Sequence, residues 1–188
     1  MVKNLELRMY FFVPYNISPI QQAIQSGHAA LEYAREYGDT SLFKVFVDNW
    51  KTWIILNGGT TSDKIYDNKY FGSLNQIEAD IINFNDNFEK INYSSFHEPD
   101  LNDALTSICF ICDERVFNRK DYPDFKFYFL DIVEEKFGTS EANRLRLYGF
   151  TEEKFIESNP DNYNEWLELI GGKKNEFLRN LIKDKKLA

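Results

Sequence analysis

The segment Leu5–Val13 (LELRMYFFV) is dense in aromatic and aliphatic residues and is closed by Pro14, which predicts a strand. Ser18-Pro19 then has the form of a helix start, with Ser as N-cap and Pro in the first turn. Ile20, Ile24, Gly27, Leu31 and Ala34 recur at helical spacing and predict the buried stripe of that helix. Gln21, Gln25, His28, Glu32 and Arg35 run beside it, and Gly38 ends it. A second short helix is expected over Thr40–Asn49, with Leu42, Phe43, Phe46 and Val47 apolar. Thr52–Leu56 (TWIIL) reads as a strand that empties into a loop, Asn57-Gly58-Gly59-Thr60-Thr61. A third helix is expected from Ser73 to about Phe84, its Leu74, Ile77, Ile81 and Ile82 on one face.

Lys90–Phe96 reads as a strand, followed by the polar loop His97-Glu98-Pro99-Asp100-Leu101-Asn102-Asp103. Ala104–Cys112 is apolar on both faces, the pattern of a strand in the middle of a covered sheet. Beyond Asp113 the pattern turns helical: Phe125–Phe137, Ala142–Tyr148, Tyr163–Ile170 and Asn175–Lys185, with Gly138, Gly149, Pro160, Gly171 and Gly172 between them. The expected architecture is α/β, a small mixed four-stranded sheet with helices on both faces. The α/β domain is placed at residues 1–115, and a helical C-terminal extension packed on it at 116–188.

Composition adds a charge argument. The chain of 188 residues carries a net charge of −8, and 16% of it is aromatic, so much of the core must be ring packing. The charge is uneven. Gly172–Ala188 holds six Lys and Arg against two acidic residues, so the rest of the chain carries −12. An acidic body repels a phosphate backbone at long range, whereas the basic end offers cations to one. Cys109 and Cys112 have C-x-x-C spacing, but residues three apart on a strand point to opposite faces, so core thiols are expected rather than a disulfide or metal site. Lys3, Glu6 and Arg8 interrupt any signal-peptide core, and no apolar run approaches the ~20 residues of a membrane span. The expectation is a cytoplasmic protein with no membrane partner.

Candidate chemistry concentrates in a few places. His28 or His97 is suited to general acid or base work, with Glu98 or Asp100 orienting a water. Gln25, Asn102 and Thr106 are candidates to hold a scissile group. The consecutive glycines in Asn57-Gly58-Gly59-Thr60 can turn backbone N–H groups toward an anion, although no P-loop or dinucleotide fingerprint is present. His97, Glu98, Asp100 and Asp103 match no zinc or calcium loop spacing, and no metal or cofactor is expected.

The order strand, loop, helix, with Gln25-Ser26-Gly27-His28-Ala29-Ala30-Leu31 on the helix, resembles the type 2 peptidyl-tRNA hydrolases. That family carries G-K-x-x-A-Q-x-x-H-A on its first helix. Gln25, His28 and Ala29 match its end, and the family's Gly-Lys falls at Ile20-Gln21 here. The resemblance covers roughly residues 5 to 113. HEPDLNDALTSICFICDERVF and IGGKKNEFLRNLIKDKKLA are similar to phage-encoded proteins of this kind. The family's loop before its last strand carries D-A-G-x-T, and the comparable loop here runs Glu98-Pro99-Asp100-Leu101-Asn102. The family's lysine and aspartate are implicated in ester hydrolysis. The resemblance implies a hydrolase acting on peptidyl-tRNA or a related nucleotide ester, with Gln21 at the lysine's position in the substrate-binding set.

Two further functions fit the same sequence. A phage-encoded protein on this scaffold, working in the host cytoplasm, could cleave or sequester a small nucleotide immune signal of the cyclic oligonucleotide or ADP-ribose type. Alternatively, the aromatic-rich extension could serve a non-enzymatic interaction module or a homodimer.

Overall fold

A computed structural model describes residues 4–61, 64–66, 69–147 and 152–188, with the side chains of 64–66, 69–70 and 152 excepted. Tyr148 and Gly149, assigned above to a helix end and a linker, lie outside these residues. The chain divides into two compact units, Met1–Glu114 with Leu178–Ala188, and Arg115–Phe177.

The first unit is an α/β body. Its strands β1 (Leu7–Pro14), β2 (Thr52–Gly59), β5 (Tyr93–Glu98) and β6 (Ala104–Asp113) form one mixed sheet in the order β2-β1-β6-β5. β1 and β2 are parallel, and the other pairings are antiparallel. Two shorter strands that the sequence pattern did not signal, β3 (Lys64–Tyr66) and β4 (Lys69–Phe71), pair with each other. Period-two alternation sorts the sheet side chains between two faces. Leu7, Met9 and Phe11 of β1 share a core with Cys109 and Ile111 of β6, under α1 (Pro19–Tyr37) and α2 (Ser41–Asn49). Tyr10 and Phe12 point the other way and meet Phe110 with ring centroids 6.0 Å apart. That face is covered by α3 (Ser73–Asn87), whose Leu74 and the Phe12 side chain both approach Gly58.

Several expectations need correction. The stripe Ile20, Ile24, Gly27, Leu31 and Ala34 does not face the core. α1 buries Gln22, Gln25, Ser26, Ala29, Tyr33 and Tyr37 instead. Apolar spacing alone gave the wrong side because the helix seats small and polar residues against the sheet and leaves aliphatic ones outside. Ile82 is exposed, and Phe84 completes the buried face of α3. β2 runs on through Gly59, so Asn57, Gly58 and Gly59 are strand residues and not a loop. β5 starts at Tyr93 and ends at Glu98, so His97 and Glu98 belong to a strand. The expected polar loop reduces to one 3-10 turn, Pro99–Leu101, and a left-handed pair, Asn102 and Asp103.

The end of the chain returns to the first unit. The Lys186 carbonyl accepts from the Asn57 N–H at 2.9 Å, and the Ala188 N–H donates to the Ile55 carbonyl at 3.0 Å. The tail thereby pairs with the outer side of β2, which blunts an edge open to unwanted strand pairing. The second unit contains α5 (Phe125–Phe137), α6 (Thr139–Leu147), α7 (Glu152–Ser158) and α8 (Pro160–Ile170), following the single turn α4 (Glu114–Phe117). Its core is largely aromatic: Tyr122, Phe125, Phe129, Phe155 and Trp166, joined by Val133, Ala142, Leu167 and Ile170. The last helix, α9, spans Lys173–Ile182. Among the described residues no helix is long and apolar enough to cross a membrane.

Cys109 and Cys112 are free and buried. Burial pushes the Cys109 thiol and the Tyr10 phenol each up to about 12, and raises Cys112 and Tyr33 as well. The fold therefore favours the protonated form of all four, while the unfolded chain ionises them first, from about pH 9 upward. This contribution is fully present below that pH and is lost as pH rises toward about 12. Urea midpoints followed by tryptophan fluorescence should be level from about pH 7 to 8.5 and fall steadily above about pH 9. A level profile up to about pH 11 would contradict the burial of these groups.

Candidate functional site

Parallel strands joined by a crossover send their carboxyl ends to the same edge of the sheet. β1 and β2 do so at Pro14 and Gly59. After β1 the chain turns onto the face covered by α1. After β2 it passes to α3 on the opposite face. Adjacent strands whose exits diverge in this way open a crevice, the usual ligand position in open α/β sheets. A cavity of about 290 Å³ lies there. Pro14, Asn16 and Ile17 line it from the exit of β1, and Thr61 from the exit of β2. Asp100, Leu101, Asn102, Ala104 and Thr106 line it from the β5–β6 hairpin.

The two exits are pinned together. The Tyr15 N–H donates to the Gly59 carbonyl at 3.0 Å. The Gly59 N–H donates to Asn57 Oδ1 at 2.8 Å, and the Thr60 N–H to Ser73 Oγ at 2.9 Å. The Thr60 carbonyl accepts from the Leu74 N–H at 2.9 Å. These donors are committed within the fold, so the Asn57–Thr60 segment holds the two strand exits together and does not cradle an anion. Gln21 is likewise committed. Its side-chain carbonyl accepts from the Ser18 N–H at 3.0 Å and its own N–H donates to Ser18 Oγ at 3.3 Å, a capping box at the start of α1.

One wall has a defined polarity. Phe96 pairs with Ser107 and His97 with Leu105, so Thr106 is the extra residue of a β-bulge. Bulges re-aim side chains, and this one turns the buried Thr106 hydroxyl toward α1. There the hydroxyl donates to Gln25 Oε1 at 2.7 Å, with the Phe96 carbonyl 3.2 Å away. Gln25 Nε2 donates to Glu98 Oε2 at 2.7 Å. A carboxylate only accepts, so Glu98 fixes the Gln25 amide, and the Gln25 carbonyl in turn claims the Thr106 proton. Thr106 is left as an acceptor for whatever enters the cavity. Asn102, held at φ 54, brings an amide with both donor and acceptor, and Asp100 brings an exposed carboxylate.

The candidate residues thus separate. Asp100, Asn102 and Thr106 share the cavity, and Gln25 and Glu98 support its wall. The histidines do not join them. The His28 ring packs 4.4 Å from the Phe96 ring, lines a separate apolar groove and keeps an enclosed Nδ1 with no partner. His97 is exposed at the end of β5. The acid–base pairing expected from the sequence is not assembled at this cavity, because His28 sits a turn beyond Gln25 on α1 and lines the other groove, and His97 is exposed and outside the cavity lining. Among the described residues no three His, Cys, Asp or Glu side chains gather to hold a metal.

Sequence reading missed Pro14, Asn16, Ile17 and Thr61. The signal was topological: two strand exits at one edge of a parallel pair, rather than any motif. No family model matches the chain, and no curated protein is significantly similar to it.

Proposed function

We propose that the chain is a hydrolase resembling the type 2 peptidyl-tRNA hydrolases, acting on peptidyl-tRNA or a related nucleotide ester in the cavity at the exits of β1 and β2. The observation that supports this most is the hydrogen-bonded chain Thr106–Gln25–Glu98. It joins the helix residue that carries the resemblance to the strand that follows the hairpin, at a cavity wall. In this reading Asp100 accepts a proton from water as the water oxygen attacks the ester carbonyl. The Asn102 amide donates to the carbonyl oxygen on which negative charge develops; the bond from the acyl carbon to the ester oxygen then breaks, and the proton taken up by Asp100 passes to that oxygen to release the nucleotide hydroxyl. Thr106 accepts from a hydroxyl or amine of the substrate. Gln25 and Glu98 position Thr106, and the histidines take no part.

A small nucleotide signal is the second reading. A cavity of about 290 Å³ accommodates a single nucleoside-sized group, and among the described residues no Lys or Arg lines it for a longer phosphate backbone. Release of N-acetylated amino acid from a model aminoacyl-tRNA tests the first reading, and the expected result is turnover above the spontaneous rate. No release at high enzyme concentration would remove it. Cleavage or thermal stabilisation with cyclic oligonucleotides or ADP-ribose would then carry the second.

A further inference from the structure

We propose that two copies of this chain pair through the outer face of α1, antiparallel, about a two-fold axis between Gly27 and His28. α1 buries one side against the sheet through Gln25, Ala29 and Tyr33. At 100° per residue, Ile20, Ile24, Gly27 and Leu31 lie on the opposite side. There Ile20 is 74% exposed, Ile24 49% and Leu31 70%. A single exposed aliphatic residue is ordinary, but aliphatic residues at i, i+4 and i+11 on one helix face form a seam. The seam runs into an apolar groove of about 540 Å³ lined by Met9, Phe43, Phe46, Val47 and Trp53. Arg35, four residues beyond Leu31, closes the seam at the C-terminal end of α1, and Lys51 stands at the groove.

Gly27 is an independent observation. A glycine inside a helix costs about 1 kcal/mol against alanine. A Cβ built there would meet nothing within 4 Å, so nothing in the chain's own packing calls for glycine. Close approach of another backbone does. A second copy of the chain fits that backbone, because exposed aliphatic residues flank Gly27 on both sides along the seam. Ile24 lies three residues before it and Leu31 four after. A two-fold axis between Gly27 and His28 lays Ile24 of one copy against Leu31 of the other, and does so twice, as a symmetric pair requires. The exposed parts of Ile20, Ile24, Leu31, Val47 and Trp53 amount to roughly 500 Å² per copy, or about 1,000 Å² for a pair, the lower bound of a specific interface.

The pairing predicts a charge-swap result. Sedimentation of the full chain between about 1 μM and 1 mM should show a reversible dimer with a Kd in the micromolar range. Ile24→Lys and Leu31→Glu, both at exposed positions, should each give monomers with unchanged circular dichroism. An equimolar mixture of the two should associate again, because each lysine then faces a glutamate across the axis. A chain that stays monomeric up to about 1 mM overturns the proposal. So does a dimer that survives both substitutions, or a mixture of the two variants that fails to associate. In the last case the seam meets some other surface and not itself.

Discussion

Replacing Gln25 with leucine should lower kcat/KM for the model ester by about 100-fold, equivalent to about 2.7 kcal/mol of transition-state stabilisation. Leucine matches the size of glutamine but removes both hydrogen bonds, to Thr106 and to Glu98. The Thr106 proton is then no longer held by Gln25, and the hydroxyl ceases to be a fixed acceptor. The part-buried Glu98 carboxylate loses its amide donor. Leaving such a group unmatched costs about 1–3 kcal/mol of stability, so the urea midpoint should fall as well. Glu98→Gln separates the two effects. It keeps a hydrogen-bonding partner for Gln25 but lets either amide turn over, so stability should change little while kcat/KM falls by about tenfold. Equal activity of wild type and Gln25→Leu would leave the network a packing feature with no part in turnover.

Gly59→Ala should be the most destabilising single change in the α/β body for its size. Gly59 has φ +94, a region that L side chains rarely enter. A Cβ there would lie 1.8 Å from Ser73 Oγ and 2.8 Å from Ser73 Cβ. The substitution therefore breaks the bond from the Thr60 N–H to Ser73 and displaces the first residue of α3. Backbone strain, a lost part-buried hydrogen bond and repacking together predict about 3–5 kcal/mol, seen as a fall of roughly 10 °C or more in Tm. Gly27→Ala is the control. Its helical backbone and open surroundings predict a monomer fold unchanged or up to about 1 kcal/mol more stable. Similar losses at both positions would mean that the pinning of the β1 and β2 exits is not what Gly59 provides.

Much of the body was legible in the sequence. Strand β6 was expected as an apolar run, and α1 was expected from its Ser-Pro start and Gly38 end. The direction of α1 was not legible. Ile20, Ile24 and Leu31 have the spacing of a buried stripe, and periodicity cannot say whether such a stripe is buried by its own chain or left outside. Gln22, Gln25 and Ser26 look like surface residues until the buried hydrogen bonds that occupy them are known. Thr106 was a candidate by its place after the hairpin, but a one-residue bulge decides its aim, and a bulge has no sequence signature here. The double glycine suggested an anion loop, whereas Gly59 serves the close approach of Ser73. Both histidines were singled out for their chemistry, and neither shares the cavity.

The proposed hydrolysis requires chemistry in the cavity at the strand exits and not at the histidines. The most direct measurement compares kcat/KM on N-acetylated aminoacyl-tRNA for wild type, Asp100→Asn and the double variant His28→Ala with His97→Ala. Asp100→Asn should lose at least about 100-fold, and the double variant less than about threefold. Loss of activity in the double variant, with Asp100→Asn near wild type, would contradict that requirement.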